Sequence, residues 1–395
     1  MNFDEIIPRA GTGSLKYDFG PERLGRDDLL PMWVADMDFA VPDCVREALL
    51  RTVDHRIYGY TETKEDYARS VIGWIERRSG YTFPKEALVK TPGVVFAIGM
   101  AVQAFTDPGD VVLIQNPVYY PFREVIEDNG RRAVSSDLVL KENQYEIDFE
   151  DLERVIREQK VRLMLLCSPH NPVGRVWERW ELERIAELAE RYDFLVVSDE
   201  IHSDFIADGH THTIFASLSE QVAERTITCT APTKTFNLAG LQISNIFITD
   251  RTLRRLFIKR LDAAGYSQAN TFGVFACKAA YDEGEAWYRE MWRYVQDNQA
   301  YFREFVAREL PQLRVVRSEG TYLLWVDFRA LGLSEKELQR LLTDGAHLWL
   351  DSGAIFGSCG RGFQRFNVAC PRSILRQALE QLKEAVQGLS PAADR

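Results

Sequence analysis

Short runs rich in β-branched and apolar residues recur through the middle of the chain and predict the buried strands of a sheet. They cover residues 110–115, 161–167, 194–198, 225–230 and 245–249. These runs are too short for core helices, as expected of strands covered on both faces. Between two of them, apolar residues with helical spacing lie opposite a glutamate-rich face: Trp180, Leu182, Ile185, Ala186 and Ala189. Strands that alternate with such helices predict a mostly parallel α/β sheet.

The pattern changes towards both ends of the chain and predicts a second structural unit. After residue 284 the sequence predicts a long charged helix, a strand within residues 320–327 and another helix from Ser334. We therefore expect three parts: an N-terminal segment (1–45) that packs with the small domain, a large α/β domain (46–284) and a small α+β domain (285–395). The polar tail after Ser390 is expected to fray.

Charge and composition narrow the classes of partner. The 395 residues carry 48 Lys and Arg against 59 Asp and Glu, a net charge of -11, which disfavours nucleic acid and anionic lipid as partners. An anionic ligand would need placed cations or backbone NH groups. Residues 1–10 do not resemble a secretory signal, no segment is apolar enough to span a bilayer, and the six scattered cysteines form no CxxC pair. These features predict a cytoplasmic protein.

A lysine just beyond a predicted strand gives the strongest indication of chemistry. Lys234 follows the run 225–230, and open α/β sheets bind ligands at the carboxyl ends of their strands. In a partly dry pocket the ammonium form is disfavoured, so a lysine can be a free amine that condenses with an aldehyde and moves a proton. The alternative is a solvated loop lysine, and the other strand ends decide between the two.

Polar and aromatic residues follow three other predicted strands. Asp199 can pair with a pyridinium nitrogen, and His202 can hydrogen-bond a phenolic ring oxygen. Asn171, within Ser-Pro-His-Asn-Pro-Val-Gly, can donate its amide to the same oxygen, and Tyr119 can stack on a planar ring. Each has a structural alternative: a helix cap for Asp199, an Asx turn for Asn171 and an ordinary core position for Tyr119.

Two further segments can bind anions. Val94 and Val95 open a predicted helix, and the free NH groups of a helix start bind phosphate without a cation. Arg365 offers a planar fork that matches an α-carboxylate. These segments thus converge on five chemical groups, namely aldehyde, ring nitrogen, ring oxygen, phosphate and carboxylate, and such convergence is far less expected by chance than any one match.

At these positions the sequence resembles the aspartate aminotransferase superfamily, which is fold type I among the pyridoxal-phosphate (PLP) enzymes. The resemblance runs from about Met32 to Arg372. Four segments resemble the cystathionine β-lyase branch, the bacterial carbon–sulfur lyases: residues 31–39 (PMWVADMDF), 58–60 (YGY), 199–202 (DEIH) and 234–242 (KTFNLAGLQ). The resemblance implies an α/β PLP-transferase fold with a mostly parallel seven-stranded sheet, and a homodimer with shared active sites.

The resemblance also assigns a role to each matching position. The catalytic residues would be Lys234, which forms a Schiff base with PLP, Tyr119 and the neighbouring subunit's Tyr60. These three would also bind the cofactor, together with Val94, Val95, Asn171, Asp199, His202 and Thr233. A small amino-acid substrate would be held through its carboxylate by Arg365, Ala35 and Asn171. No metal ligand is implied.

Three departures from typical aminotransferases bear on the reaction. Those enzymes have tyrosine where His202 stands, serine where Ala231 stands and a phosphate-binding arginine where Gln242 stands. The replacements favour α,β-elimination of cystathionine or a related S-substituted cysteine to thiol, pyruvate and ammonia, as in methionine biosynthesis.

Three alternatives remain open at this point. The first is a PLP-dependent aminotransferase of the same fold, and the second is a PLP-binding regulatory protein that acts through protein contacts. The third is a metal protein that uses side chains from one short segment: His202, His210 and His212 with Asp204 or Asp208.

Overall fold

Residues 1–389 are described by the computed structural model; the tail after Ser390, which was expected to fray, lies outside them. The strands are β1 (Leu30–Pro31), β2 (Leu88–Thr91), β3 (Val111–Ile114), β4 (Arg132–Ser135), β5 (Val139–Lys141), β6 (Gln144–Glu146), β7 (Leu163–Cys167), β8 (Leu195–Asp199), β9 (Thr226–Thr230), β10 (Ser244–Ile248), β11 (Arg314–Val315), β12 (Leu323–Asp327), β13 (Leu348–Trp349), β14 (Asp351–Ser352) and β15 (Phe363–Asn367).

The α-helices are α1 (Gly20–Leu24), α2 (Asp43–His55), α3 (Glu65–Ser79), α4 (Val94–Phe105), α5 (Pro121–Asp128), α6 (Phe149–Gln159), α7 (Arg179–Tyr192), α8 (Glu220–Glu224), α9 (Pro232–Thr235), α10 (Arg251–Ala263), α11 (Thr271–Glu283), α12 (Glu285–Glu309), α13 (Glu335–Arg340) and α14 (Arg372–Gln387). Short 3-10 segments lie at Lys85–Ala87, Phe215–Ser217, Ala239–Leu241, Arg329–Leu331, Gly353–Phe356 and Ser358–Gly360, and a π-helical turn at Leu341–Gly345. No helix within residues 1–389 combines the length and apolar character needed to cross a bilayer.

The large sheet has seven strands in the order β2-β10-β9-β8-β7-β3-β4. β10 is antiparallel to both of its neighbours, and the other pairs are parallel. β3, β7, β9 and β10 are buried at every position, and β3 and β7 are apolar throughout. The predicted α/β fold with a mostly parallel seven-stranded sheet is confirmed.

Helices cover both faces of this sheet, and successive residues of β7 face opposite layers. Leu163 and Leu165 pack in a cluster with α4, α5 and α10, whereas Met164 and Leu166 pack in a cluster with α6 and α7. The α7 helix begins after Glu178, which forms a reciprocal capping box with Glu181. Because helices cover both faces of the sheet, a ligand can reach it at the carboxyl ends of the strands.

A smaller antiparallel sheet is formed near the C-terminus in the order β11-β12-β15-β14. Its residues Leu324, Val326 and Phe366 share one apolar cluster with α12 and α14. The N-terminal segment joins this region, because β1 pairs in parallel with β13 and Trp33 stacks on Trp349 with ring centroids 4.3 Å apart. The pairing brings residues 32–39, which we call the strap, towards the large sheet.

Candidate active site

The carboxyl ends of three adjacent parallel strands bring the principal predicted residues together. Asp199 is the last residue of β8, and it lies in register with Cys167 at the end of β7 and Cys229 near the end of β9. Asn171 follows β7 by four residues, and Lys234 lies in α9, which begins two residues after β9. The edge of the sheet therefore holds these three side chains in one site, as ligand sites of open α/β sheets require.

Lys234 lies between the sheet and the strap. Its Nζ donates a hydrogen bond to the carbonyl oxygen of Ala35 at 2.5 Å, and the hydroxyl of Tyr322 donates to the same oxygen at 2.9 Å. Burial, and then the nearby guanidinium of Arg365, lower the pKa of Lys234 to about 8. A substantial fraction of this amine is thus neutral near physiological pH, as a nucleophile or proton acceptor must be.

Asp199 is a buried carboxylate that forms no ion pair with any residue of the described range 1–389. Its side chain is 6% exposed, and burial raises its pKa to about 7, although the backbone NH of Ile201 donates to Oδ1 at 3.2 Å and lowers the pKa in part. A buried carboxylate is stabilised in its ionised form by a nearby cation. A protonated ring nitrogen would supply that cation.

His202 is a buried histidine three residues beyond the end of β8. His202 is 3% exposed, and its Nδ1 is buried without a hydrogen-bond partner in the described chain. Burial lowers the pKa of His202 well below its usual value, so the imidazole is neutral. An orphaned polar atom at this depth is costly unless a ligand satisfies it.

Arg365, on β15, lies at the boundary between the two sheets. Its Nη1 donates to Oδ1 of Asn171 at 3.0 Å and its Nη2 to the carbonyl of Trp33 at 3.0 Å, while Asp351 forms a close ion pair with it. The guanidinium lies over the ring of Phe356, 4.9 Å from its centroid. Its buried Nε has no partner in the described residues, so a donor remains for a ligand.

The residues predicted to bind phosphate lie at two helix starts. The α4 helix begins at Val94, with Val95 in its first turn, and no acidic side chain lies in that turn. Thr233 is the second residue of α9. The unpaired NH groups of a helix start and its positive dipole end favour an anion.

The two predicted tyrosines, Tyr119 and Tyr60, differ in how far they are exposed to solvent. Tyr119 follows β3 and is partly buried, and burial raises its pKa, so its hydroxyl stays protonated. Tyr60 is 97% exposed and lines an outer groove with Gln242 and Tyr266. Of all the predicted site residues, Tyr60 is the one that a single chain leaves in solvent.

The strap is held in place by two asparagines that sequence reasoning did not single out. Asn237 Nδ2 donates to the carbonyls of Met37 and Phe39, both at 3.0 Å. Asn367 Nδ2 donates to the carbonyls of Val34 and Asp36 at 2.7 and 2.6 Å. These contacts fix the carbonyl of the intervening residue, Ala35, against Lys234.

Tyr322 and Asp351 are also site residues that the sequence did not reveal. Tyr322 is fully buried and reads as a core aromatic residue, and its hydroxyl contact is visible only in three dimensions. Asp351 belongs to a two-residue strand with no motif around it. Asp36, whose charge acts on Lys234, could have been found from the sequence, because it lies within the motif of residues 31–39.

The alternative metal site does not assemble from its five candidate residues. His212 Nε2 pairs with Glu200 at 2.8 Å, and Asp204 accepts hydrogen bonds from Thr235 at 2.6 Å and from Trp74 at 3.1 Å. In residues 1–389 no group of three or more His, Cys, Asp or Glu side chains could hold a metal ion. These side chains instead stabilise the loop after β8.

The chemistry of these groups fits PLP. Lys234 offers an amine with a lowered pKa, Asp199 a buried carboxylate for a ring nitrogen and the start of α4 a phosphate site. The orphaned Nδ1 of His202 can satisfy a ring oxygen, and the free Nε of Arg365 a carboxylate. This fold and site define a PLP-dependent enzyme of fold type I.

The chain belongs to the aminotransferase class I and II family, whose sequence profile matches residues 27–382. Cystathionine beta-lyase PatB of Bacillus subtilis is 44% identical to it, over 98% of this chain and all of PatB. The crystal structure of cystalysin from Treponema denticola, which contains PLP, superposes with a TM-score of 0.95 and 38% identity over 98% of this chain and 99% of that one. The PLP-bound C-S lyase from Staphylococcus hominis gives a TM-score of 0.91 with 32% identity, over 98% of each chain. The predicted family, cofactor and assignment as a PLP-dependent lyase are confirmed.

Replacing Arg365 with lysine tests its predicted contact with the substrate carboxylate. Lysine keeps the charge but cannot form the planar fork, so we expect KM for the amino-acid substrate to rise about 10-fold or more, with a smaller change in kcat. Steady-state kinetics measure both constants. Arg361→Lys, at an exposed arginine four residues away, is the matched control, and an unchanged KM in Arg365→Lys would exclude the contact.

Proposed function

We propose that this protein is a PLP-dependent carbon–sulfur β-lyase that splits cystathionine, or a related S-substituted cysteine, into a thiol, pyruvate and ammonia. The observation that carries the proposal is the lowered pKa of Lys234, about 8, next to the buried Asp199 on the adjoining strand end. When bound, PLP supplies an electron sink for the pair left on the substrate's α-carbon. The chain's own residues must then bind, orient and deprotonate the substrate.

Lys234 takes the α-proton in this account. Its Nζ is held by the Ala35 carbonyl at 2.5 Å, which keeps the amine at one side of the site. A general base acts best when its pKa is near the working pH, and a value of about 8 meets that condition. The sulfur at the β-carbon then leaves as the thiol, and the remaining fragment hydrolyses to pyruvate and ammonia.

The other predicted residues bind and orient. Asp199 would pair with the ring nitrogen, and Asn171 and His202 would contact the ring oxygen. Tyr119 would stack on the ring. The phosphate would bind at the NH groups of Val94 and Val95, with Thr233, and the substrate carboxylate at Arg365 and the backbone of Ala35.

Elimination is favoured over transamination by the surroundings of the cofactor. Gln242 carries no charge where typical aminotransferases place an arginine, and His202 is neutral and buried where they place a tyrosine. The relative with 44% identity bears the name of a lyase.

The products distinguish elimination from transamination. Purified holoenzyme is incubated with cystathionine without any keto acid, and pyruvate and free thiol are measured over many turnovers. We expect the two to accumulate in equal amounts. Amino-group transfer that stops after one turnover, and resumes when a keto acid is added, would contradict the proposal.

A homodimer with shared active sites would explain the exposed apolar surface around Tyr60. Large apolar side chains on α2, on α11 and in the loop between α2 and α3 are exposed: Leu50, Val53, Ile57, Tyr58 and Phe275. Ile57, at 70% exposure, is an unusual surface residue, and contiguous apolar patches mark contact sites. In such a dimer, the neighbour's Tyr60 would reach the phosphate.

Mixed dimers test whether Tyr60 acts across the interface. Lys234→Ala and Tyr60→Ala are expected to be impaired separately, and co-expression should restore about a quarter of wild-type activity, because half of the dimers would contain one intact site of two. Differently tagged subunits allow the mixed dimer to be isolated and assayed. If Tyr60 served its own subunit, mixing would restore nothing.

The cellular setting follows from the chemistry of the chain. Six free cysteines, four of them buried, suit a reducing compartment such as the cytoplasm. A thiol released from cystathionine would feed methionine biosynthesis. We keep the division into residues 1–45, 46–284 and 285–395 as part of the proposal, with the active site at the junction of the three.

A further inference from the structure

Two cations and two carboxylates near the N-terminus form a cluster that the proposed reaction does not use. This N-terminal charge cluster consists of Arg9, Lys16, Asp36 and Asp38. Arg9 donates to the two carboxylate oxygens of Asp36 at 2.6 and 3.2 Å and to Asp38 at 2.7 Å. Lys16 Nζ donates to the other oxygen of Asp38 at 2.7 Å. The two positive and two negative charges balance.

The cluster is more than a pair of surface ions. The side chain of Lys16 is 1% exposed and that of Asp38 is 5% exposed, and the indole of Trp33 donates to the Lys16 carbonyl at 3.2 Å. A lysine is rarely buried to this extent unless its charge is compensated. The burial of Lys16 and Asp38 therefore indicates that their ion pair is a fixed part of the folded chain.

The cluster is connected to the active site through one peptide unit. Asp36 follows Ala35, the residue whose carbonyl oxygen accepts hydrogen bonds from Lys234 at 2.5 Å and from Tyr322 at 2.9 Å. The charge of Asp36 also acts at Lys234, because this carboxylate raises the pKa of Lys234 against the larger effects of burial and Arg365.

We propose that Arg9 and Lys16 are positioning residues for the β-elimination. By holding the carboxylates of the strap, they keep the Ala35 carbonyl against Lys234 and balance the negative charge of Asp36 beside the Lys234 nitrogen. The kinetic consequence rests on the proposed function, whereas the charge balance can be measured without turnover. Arg9 and Lys16 touch neither the substrate carboxylate site nor the strand ends, so their effect would pass through the strap.

The other groups that face Lys234 are Asp199 at the end of β8, His202 after it, Tyr322 before β12 and Arg365 on β15. Burial keeps His202 neutral and keeps the hydroxyl of Tyr322 protonated. Arg365 is unchanged in all the variants compared, and Asp199 would pair with the ring when PLP is bound. A shift caused by removing Arg9 can therefore be assigned to the unbalanced charge of Asp36.

The test is a pH titration of the absorbance of PLP in the holoenzyme, which reports the proton on the Lys234 nitrogen. In Arg9→Met the unbalanced carboxylate should favour the protonated nitrogen and raise the midpoint by about 0.5 to 1 pH unit. Asp36→Asn should lower the midpoint, and Arg9→Lys, which keeps the charge, should stay near the wild type. The acid limb of kcat/KM should move in the same directions.

Controls separate the charge effect from a general disturbance of the fold. Arg154→Met, at an exposed arginine paired with Asp151 and Glu158, should leave the midpoint unchanged. A midpoint of Arg9→Met at or below the wild-type value, or an equal shift in Arg9→Lys, would overturn the inference. If Arg9→Met does not fold, Asp36→Asn decides alone, since an unchanged or raised midpoint overturns it. If the midpoints shift as expected but the protein has no lyase activity, the charge balance is supported and only the proposed function is rejected.

Discussion

Lys234→Ala is expected to lose β-elimination almost completely, by a factor of about 1,000 or more, because it removes both the covalent anchor and the proton acceptor. No other lysine in the described part of the chain could replace it. Lys234 is the lysine there that donates to the Ala35 carbonyl and interacts with Asp199 at the end of β8. Pyruvate release under saturating substrate measures the loss. The absorbance of the covalently held cofactor should disappear in the same variant.

A matched variant controls for the loss of a lysine. Lys85→Ala removes an exposed lysine that pairs with Glu65 at 2.7 Å on the surface, and we expect its activity and spectrum to equal those of the wild type. Lys234→Ala should also keep the wild-type circular dichroism. Activity within about 10-fold of the wild type in Lys234→Ala would contradict a catalytic role for this amine.

Asp199→Asn is expected to lower kcat by a factor of about 100 or more and to stabilise the protein when no cofactor is bound. Asparagine cannot stabilise a protonated ring nitrogen, so the electron sink weakens. Burial raises the pKa of the Asp199 carboxyl to about 7 because its charged form is poorly solvated, and asparagine removes this cost of a buried charge. Steady-state kinetics test the first effect, and chemical denaturation of cofactor-free protein tests the second.

The stabilisation in Asp199→Asn should depend on pH. The folded pKa of Asp199, about 7, lies above the value of an unfolded aspartate, so the folded chain holds a proton that the unfolded chain releases. The contribution of this carboxyl to stability is present below about pH 4 and is lost as pH rises through about 7. At pH 8 the variant should exceed the wild type by on the order of 4 kcal/mol in free energy of unfolding, and near pH 4 the difference should vanish. An equal difference at both pH values would rule out ionisation of Asp199 as its cause.

The sequence predicted the fold well where strands are buried on both faces. β3, β7, β8, β9 and β10 each overlap one of the short runs rich in apolar and β-branched residues, the side chains that suit a buried strand. The edge strands escaped prediction: β2 alternates between buried and partly buried residues, and β4 has no buried residue. Two-residue strands such as β13 depend on tertiary contacts that no local pattern records.

The grouping of the candidate site residues could be predicted where they lie at the end of a strand or a few residues beyond it. The sequence predicted that Lys234, Asp199 and Asn171 lie close together, because parallel strands end at one edge of the sheet and their sequence positions imply a shared location. Tyr322 and Asp351 were missed because a buried tyrosine and an isolated aspartate have no local signature. Their roles arise from contacts with Ala35 and Arg365, which lie far from them along the chain.

The most direct measurement for the whole account is the location of the covalent cofactor. Wild-type protein reconstituted with PLP is reduced with borohydride and digested, and its peptides are mapped by mass spectrometry. The account predicts that the cofactor's mass is found on the peptide that contains Lys234. Attachment to a different lysine, or no attachment, would contradict it.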